Sequence, residues 1–145
     1  MGNTIRKMKP EDKAPVMEMM RVFYASEAVL SNGSEEIFRA DFETCVSDSP
    51  YAEGFILEDE GSILGYAMVA KSYSTEFGKP CIWIEDLYLK EPYRGKGFGS
   101  QMLQFIFAQF PGSIFRLEAE KENSRAIATY QKNGFEELPY MELKK

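Results

Sequence analysis

Leu87-Tyr88-Leu89-Lys90-Glu91-Pro92-Tyr93-Arg94-Gly95-Lys96-Gly97-Phe98-Gly99-Ser100 is the stretch from which the architecture of this chain can be read. An apolar run ends at Leu89, a turn with three glycines and two cations follows Pro92, and a helical pattern starts at Gly97. The first N–H groups of a helix have no intrahelical acceptor, and the helix dipole adds partial positive charge at that end. Glycines let an anion come close to such groups, so the turn suits a phosphate or pyrophosphate. The commoner phosphate motifs do not fit. A Walker A loop needs Ser or Thr after its Gly-Lys, whereas Lys96 is followed by Gly97, and G-x-G-x-x-G from Gly95 would need glycine at Ser100. A tight strand-to-helix connection, with glycines for packing alone, is the competing reading.

Working outward, residues 81–89 read as a strand that is apolar on both faces. Strict alternation puts Cys81, Trp83 and Leu87 on one face and Ile82, Ile84 and Tyr88 on the other. Such a strand is central and covered by helices. Before it, residues 55–58 and 63–73 flank the Asp59-Glu60-Gly61 turn as a hairpin, and residues 76–80 form the next turn. After it, a helix over 97–110 presents Met102, Leu103, Ile106, Phe107 and Phe110, followed by a strand over 113–119 and a helix over 124–133. Gly134 sits where a left-handed cap belongs, with apolar Phe135 next. The remainder, to residue 145, has room for one or two short strands.

At the other end, residues 3–8 suggest a strand. A helix follows Asp12, tolerates Pro15 in its first turn, and repeats apolar residues at Val16, Met19, Met20, Phe23 and Tyr24. A second helix starts near Ser34 and buries Phe38, Phe42, Cys45 and Val46 before Pro50. No repeat or linker interrupts the pattern, so one mixed α/β domain over residues 1–145 is expected.

Composition narrows the chemistry. With no histidine in the chain, Ser-His-Asp triads, Cys-His dyads and histidine-anchored metal sites are excluded. No motif of clustered carboxylates suggests a metal either. A formal net charge of −6 opposes a nucleic-acid backbone as partner. The longest apolar stretches are short and broken, so no membrane span is expected. The N-terminal residues lack a basic region followed by an apolar one, and a cytoplasmic protein is expected.

Arg94-x-x-Gly97-x-Gly99 resembles the Arg/Gln-x-x-Gly-x-Gly/Ala signature of the GNAT superfamily of N-acetyltransferases. Downstream, Asn123, Ala126, Tyr130 and Gly134-Phe135 resemble the family's Asn…Ala…Tyr…Gly-Phe ending, in the correct order. The likeness covers roughly residues 63–135 and is similar in detail to diamine-type acetyltransferases, whose corresponding segment also carries Glu-Asp, here Glu85-Asp86. It implies the GNAT fold, a mixed central sheet flanked by helices whose central strands splay apart to admit acetyl-coenzyme A as cosubstrate. It also implies that the backbone of Leu87, Tyr88 and Leu89 lines the pantetheine arm, and that Arg94 with Gly95, Lys96, Gly97, Phe98, Gly99 and Ser100 holds the pyrophosphate. Asn123 becomes a cofactor contact, Tyr130 the general acid and Glu85 the general base. Family members are often dimers, so a homodimer is compatible with the resemblance.

The residues can be weighed without the resemblance as well. An alkylamine with a pKa of about 10.4 is neutral in only about one molecule in 2,500 at pH 7, so acetylation of an amine calls for a base. Glu85 and Asp86 interrupt an apolar strand and, being adjacent, should point to opposite faces. Either carboxylate, or a chain of waters, fits the role; an ion-paired or solvated strand end is the structural alternative. Tyr130 lies two helical turns after Asn123, so both can address one ligand; a core tyrosine and a helix N-cap are the structural alternatives. Cys45 and Cys81 read as core thiols, which leaves direct attack of the amine in a ternary complex. The resemblance to diamine-type acetyltransferases implies a small cationic amine as acceptor, and the acidic charge agrees with it. A protein lysine or N-terminal amine, and a module that senses acetyl-coenzyme A without turnover, are the competing readings. Glu27, Glu35, Glu36, Asp41 and Glu43 are either a cation-attracting rim or the solvated faces of two helices.

Overall fold

The computed structural model describes residues 2–29 and 33–145. Five strands, β1 (Asn3–Lys7), β2 (Ala52–Asp59), β3 (Ser62–Ser74), β4 (Lys79–Leu89) and β5 (Ile114–Leu117), form one sheet in sequence order. Every pairing is antiparallel except β4–β5, which is parallel. Two helices, α1 (Lys13–Tyr24) and α2 (Glu35–Val46), pack against one face, where Val16, Met19, Met20, Phe38 and Phe42 meet Ile56, Tyr66 and Met68. On the other face, α3 (Phe98–Gln109) inserts Met102, Leu103 and Ile106 among Phe55, Leu57, Ile82 and Ile84. Last comes α4 (Ser124–Lys132), beside α3.

Local chemistry sets the element ends. Ser34 caps α2 by accepting the Ile37 N–H at 3.2 Å. The end of α4 is a Schellman motif: Gly134 has φ +96°, its N–H reaches the Gln131 carbonyl at 3.0 Å, and the Phe135 N–H reaches the Tyr130 carbonyl at 3.0 Å. The Phe135 ring packs on Tyr130 with centroids 6.1 Å apart, the apolar contact that accompanies this ending. Arg6 of β1 ties the start of α1 to the sheet through Asp12 at 2.8 Å and Glu58 at 2.9 Å.

Two expectations change. β4 does not alternate strictly, because a bulge interrupts its register with β3: Met68 stands opposite Asp86 and Val69 opposite Ile84, leaving Glu85 without a partner. An extra residue reverses the faces beyond it. Leu87 and Leu89 therefore join Ile82 and Ile84 on the α3 face, and Tyr88 joins the core beneath α1. In addition, residues 136–145 form no strand. Pro139 has no N–H to give a ladder, and Tyr140, Met141 and Leu143 remain 61%, 83% and 83% exposed. The segment is anchored by the Tyr140 hydroxyl, which donates to Glu76 at 2.6 Å.

Candidate active site

The parallel pairing of β4 and β5 starts at Cys81 and Ile114 and stops at Ile84 and Leu117, while β4 continues to Leu89. Beyond Ile84 β5 offers β4 no further partner, so the ladder ends and leaves a cleft along the β4 edge of the sheet. The chemistry of its β4 edge follows from the ladder on the opposite side. The Lys90 N–H donates to the Leu64 carbonyl at 2.9 Å, so residues at even spacing from Lys90, including Tyr88, turn their backbone groups toward β3. Leu87 and Leu89 turn theirs into the cleft, and the Leu89 carbonyl indeed accepts Arg94 Nε at 2.8 Å from that side. Of the three residues expected along the edge, Tyr88 thus turns its backbone to β3 and its ring into the core beneath α1. That ring lies under the Arg94 guanidinium, 5.4 Å from its centroid.

The glycine turn follows directly. Gly97 caps α3 with φ +87°, a left-handed conformation that a branched residue adopts only with strain. The first intrahelical bond runs from the Gln101 N–H to the Gly97 carbonyl at 3.1 Å, so the N–H groups of Phe98, Gly99 and Ser100 point out of the helix start unpaired within it. Lys96 is exposed and has no ion-pair partner among the described residues. The start of α3 abuts α4: Asn133 Nδ2 donates to Ser100 Oγ at 2.9 Å, and a Cβ on Gly99 would sit 3.7 Å from Thr129.

This contact brings the second motif beside the first. Asn123 holds the N-cap position of α4, yet its side chain makes no capping bond, which leaves the amide available to a ligand. Tyr130 packs with Phe135 in the α3-side core, and burial pushes its phenol pKa up, so the hydroxyl stays protonated near neutrality. That hydroxyl has no protein partner among the described residues and is not a buried unsatisfied group, so it reaches solvent.

At the mouth of the cleft stands Glu85, the bulged residue. The register that pairs Ile84 with Leu117 sets Glu85 beside Glu118, at the point where the strands part. Its side chain keeps solvent contact, but reduced hydration, then Asp86, then Glu142 raise its carboxyl above the ordinary range. Asp86 is different. Only 2% exposed, it accepts the Tyr24 hydroxyl at 2.7 Å and the Tyr66 hydroxyl at 2.8 Å, and burial raises it to about 6 against those two bonds. The two carboxylates do not address opposite faces in the way alternation suggested: both press on Tyr24 of α1, and Glu85 also raises Asp41 of α2.

Several residues here escape sequence reasoning. Tyr24 reads as one more apolar position of a helix, Tyr66 as one of a strand, and Glu142 belongs to a segment far along the chain. Glu118 is raised to about 7, chiefly by the neighbouring Glu142 carboxyl and then by burial. Of the acidic residues on the first two helices, Asp41 alone has its carboxyl raised by Glu85. Glu35 is bound by Arg21 at 2.7 and 2.8 Å, and Glu43 faces Lys13 at 3.4 Å. Cys45 and Cys81 are buried, and burial pushes the Cys45 thiol up to about 12, so Cys45 offers no thiolate. No group of three or more His, Cys, Asp or Glu that could hold a metal occurs among the described residues.

The segments that build this opened strand pair and glycine-capped helix start fall within a stretch of sequence that matches a known family. The acetyltransferase (GNAT) family model fits residues 17–135. The chain belongs to this family. A thialysine N-epsilon-acetyltransferase of Sus scrofa is 33% identical over 147 residues, covering 92% of this chain and 84% of that protein. A spermine/spermidine N(1)-acetyltransferase of Bacillus subtilis is 24% identical over 144 residues, covering 94% and 89%. Among solved structures, a possible acetyltransferase from Clostridium difficile 630 superposes with a TM-score of 0.83 at 19% identity, covering 100% of this chain and 97% of that one. Aminoglycoside acetyltransferase AAC(6')-Iy, in complex with a bisubstrate analog of coenzyme A, superposes with a TM-score of 0.80 at 16% identity, covering 100% and 98%. The protein is a GNAT N-acetyltransferase with acetyl-coenzyme A as cosubstrate, and it has the α/β fold of that family. The residues fit that cosubstrate: an open strand edge runs into unpaired helix N–H groups with two cations beside them. None of the helices among the described residues is long and apolar enough to cross a membrane.

Proposed function

We propose that this acetyltransferase moves the acetyl group directly to the primary amine of a small cationic acceptor, in a ternary complex. The observation that carries the reading is the β4 bulge, which stations Glu85 at the fork of β4 and β5 with Asp41 and Asp86 close behind. Leu87 and Leu89 bind the pantetheine arm through the backbone groups they turn into the cleft. Arg94 and the turn from Gly95 to Ser100 hold the pyrophosphate, and the uncommitted Asn123 amide adds a contact. The bound cosubstrate supplies an activated acetyl thioester.

Glu85, with its raised pKa, takes the proton from the acceptor ammonium and so supplies the neutral amine that attacks. Tyr130 keeps its proton near neutrality and gives it to the departing thiolate, and the second proton that the attacking nitrogen sheds restores the phenol. The surrounding carboxylates, which form no ion pair among the described residues, favour a positively charged acceptor over a neutral one. The kinship with enzymes named for thialysine and for spermine and spermidine supports the same class. The test follows free thiol release from acetyl-coenzyme A across a panel of diamines, amino acids with side-chain amines, aminoglycosides and lysine-containing peptides. Release with small cationic amines is expected. Release with peptides alone would transfer the reading to a protein acceptor. Tight binding of acetyl-coenzyme A without release on any amine would make the protein a sensor.

A further inference from the structure

Asp86 is 2% exposed, and no Lys or Arg pairs with it among the described residues. A carboxylate buried without a cation is costly, and an apolar residue would ordinarily serve the core better. Its two partners come from the elements that frame the bulge. Tyr24 is the last residue of α1, and Tyr66 sits in β3 two positions before Met68, the residue opposite Asp86. Each tyrosine holds one carboxylate oxygen, at 2.7 and 2.8 Å.

The alternative to the bulge is a regular ladder. Continuing the Val69–Ile84 pairing without an extra residue would set Glu85 opposite Met68 and turn Asp86 onto the apolar α3 face. Side chains, not backbone, must decide between these registers, because the bulge itself leaves one residue unpaired. The two tyrosine hydroxyls do so by accommodating the shorter carboxylate and excluding the slip.

We propose that Asp86 is a positioning residue, clamped by Tyr24 and Tyr66 so that the β4 bulge keeps its register and the Glu85 carboxylate stands at the mouth of the cleft. The inference rests on Glu85 as the base. The groups facing this pair are Tyr24 from α1, Asp41 from α2, Tyr66 from β3, Glu118 after β5 and Glu142 from the C-terminal segment, none of them cationic. After burial, Asp86 is the largest influence that raises Glu85, so the clamped charge also makes its neighbour a stronger base.

The experiment records kcat and kcat/KM against pH for wild type, Glu85→Gln, Asp86→Asn and Tyr24→Phe, with one accepted amine and calorimetric coenzyme A affinity alongside. Glu85→Gln should lose the acid-side inflection. Asp86→Asn should keep it but shift it to lower pH, with kcat reduced about tenfold and coenzyme A affinity unchanged within about twofold, whereas a purely structural loss would leave the inflection in place. Tyr24→Phe keeps the Asp86 charge and removes half the clamp, so kcat should fall about fivefold. If circular dichroism shows Asp86→Asn unfolded, Tyr24→Phe decides: wild-type kcat overturns the proposal, and the expected fall at unchanged coenzyme A affinity supports it. If Glu85→Gln loses the inflection while Asp86→Asn keeps the wild-type position, the positioning role fails and the base assignment stands. If Glu85→Gln retains both rate and inflection, the base assignment fails and takes this inference with it.

Discussion

Along the α3 side of the cleft the chain offers backbone: the edge of β4 at Leu87 and Leu89, and the N–H groups of Phe98, Gly99 and Ser100 above a left-handed Gly97. On the α1 and α2 side it offers side chains, with Asp86 between two tyrosine hydroxyls, Asp41 behind, and Glu85, Glu118 and Glu142 at the opening. The difference separates two kinds of recognition. Backbone groups carry no titration and depend on conformation, so that wall should respond to changes in φ and hardly to pH. Side-chain carboxylates without cations depend on protonation, so the opposite wall should respond to pH and to isosteric loss of charge. Replacements on each wall test whether the division holds.

The largest effect should come from the buried carboxylate. Asp86 rises from its ordinary 3.8 to about 6 in the folded protein, so its proton favours the native state. That contribution is complete below pH 3.8 and disappears as pH rises through 6, amounting to about 3 kcal/mol. Relative to Asp86→Asn, wild type should therefore lose stability by that order between pH 4 and 7, seen as a pH-dependent gap between their thermal midpoints. A constant gap would mean that the acceptor wall is no more titratable than the other.

Glu85→Gln should lower turnover by about 10²-fold at neutral pH, with the loss shrinking as rising pH supplies free amine. Coenzyme A affinity should be preserved, because this residue belongs to the side-chain wall. An unchanged pH–rate profile would remove Glu85 from the mechanism. Tyr130→Phe keeps the ring's packing on Phe135 and should lower turnover about tenfold, with acetyl-coenzyme A binding within about threefold. Normal turnover at several pH values would make Tyr130 a core residue only.

On the backbone wall, Gly97→Val forces a branched residue to φ +87° and should weaken coenzyme A by about 1–2 kcal/mol, the cost of a left-handed L-residue. A Cβ there meets no protein atom within 4 Å, so the loss should not come from a clash in the fold. Calorimetric titration at two pH values checks both parts: a weaker affinity, equally weak at each pH.

What could be read from the residues follows the same division. The glycine turn and the Gly134-Phe135 ending are local, because their conformations are dictated by residues a few positions apart, and both appear in the structure as expected. Hydrophobic pattern and end signals likewise located the four α-helices and five strands found among the described residues. The bulge at Glu85 was not legible, since alternation through an apolar strand cannot show where the ladder gains a residue. Extrapolating across it assigned Leu87 and Tyr88 to the wrong faces. Tyr24 and Tyr66 were hidden for another reason: their hydroxyls meet Asp86 only after α1 and β3 are packed, across 62 and 20 positions of sequence. Pro139 was a usable sign against a further strand, and the C-terminal segment is irregular where it lies.

The early end of the β4–β5 ladder makes the sheet itself unfinished. In the free protein the amides of Leu87 and Leu89 face a gap, while that of Tyr88 is held by β3, so deuterium should enter a β-strand at every second residue. A ligand lying along that edge supplies the missing acceptors as a further strand would. Protection of those two amides would then measure how far binding completes a piece of secondary structure that the polypeptide alone leaves open.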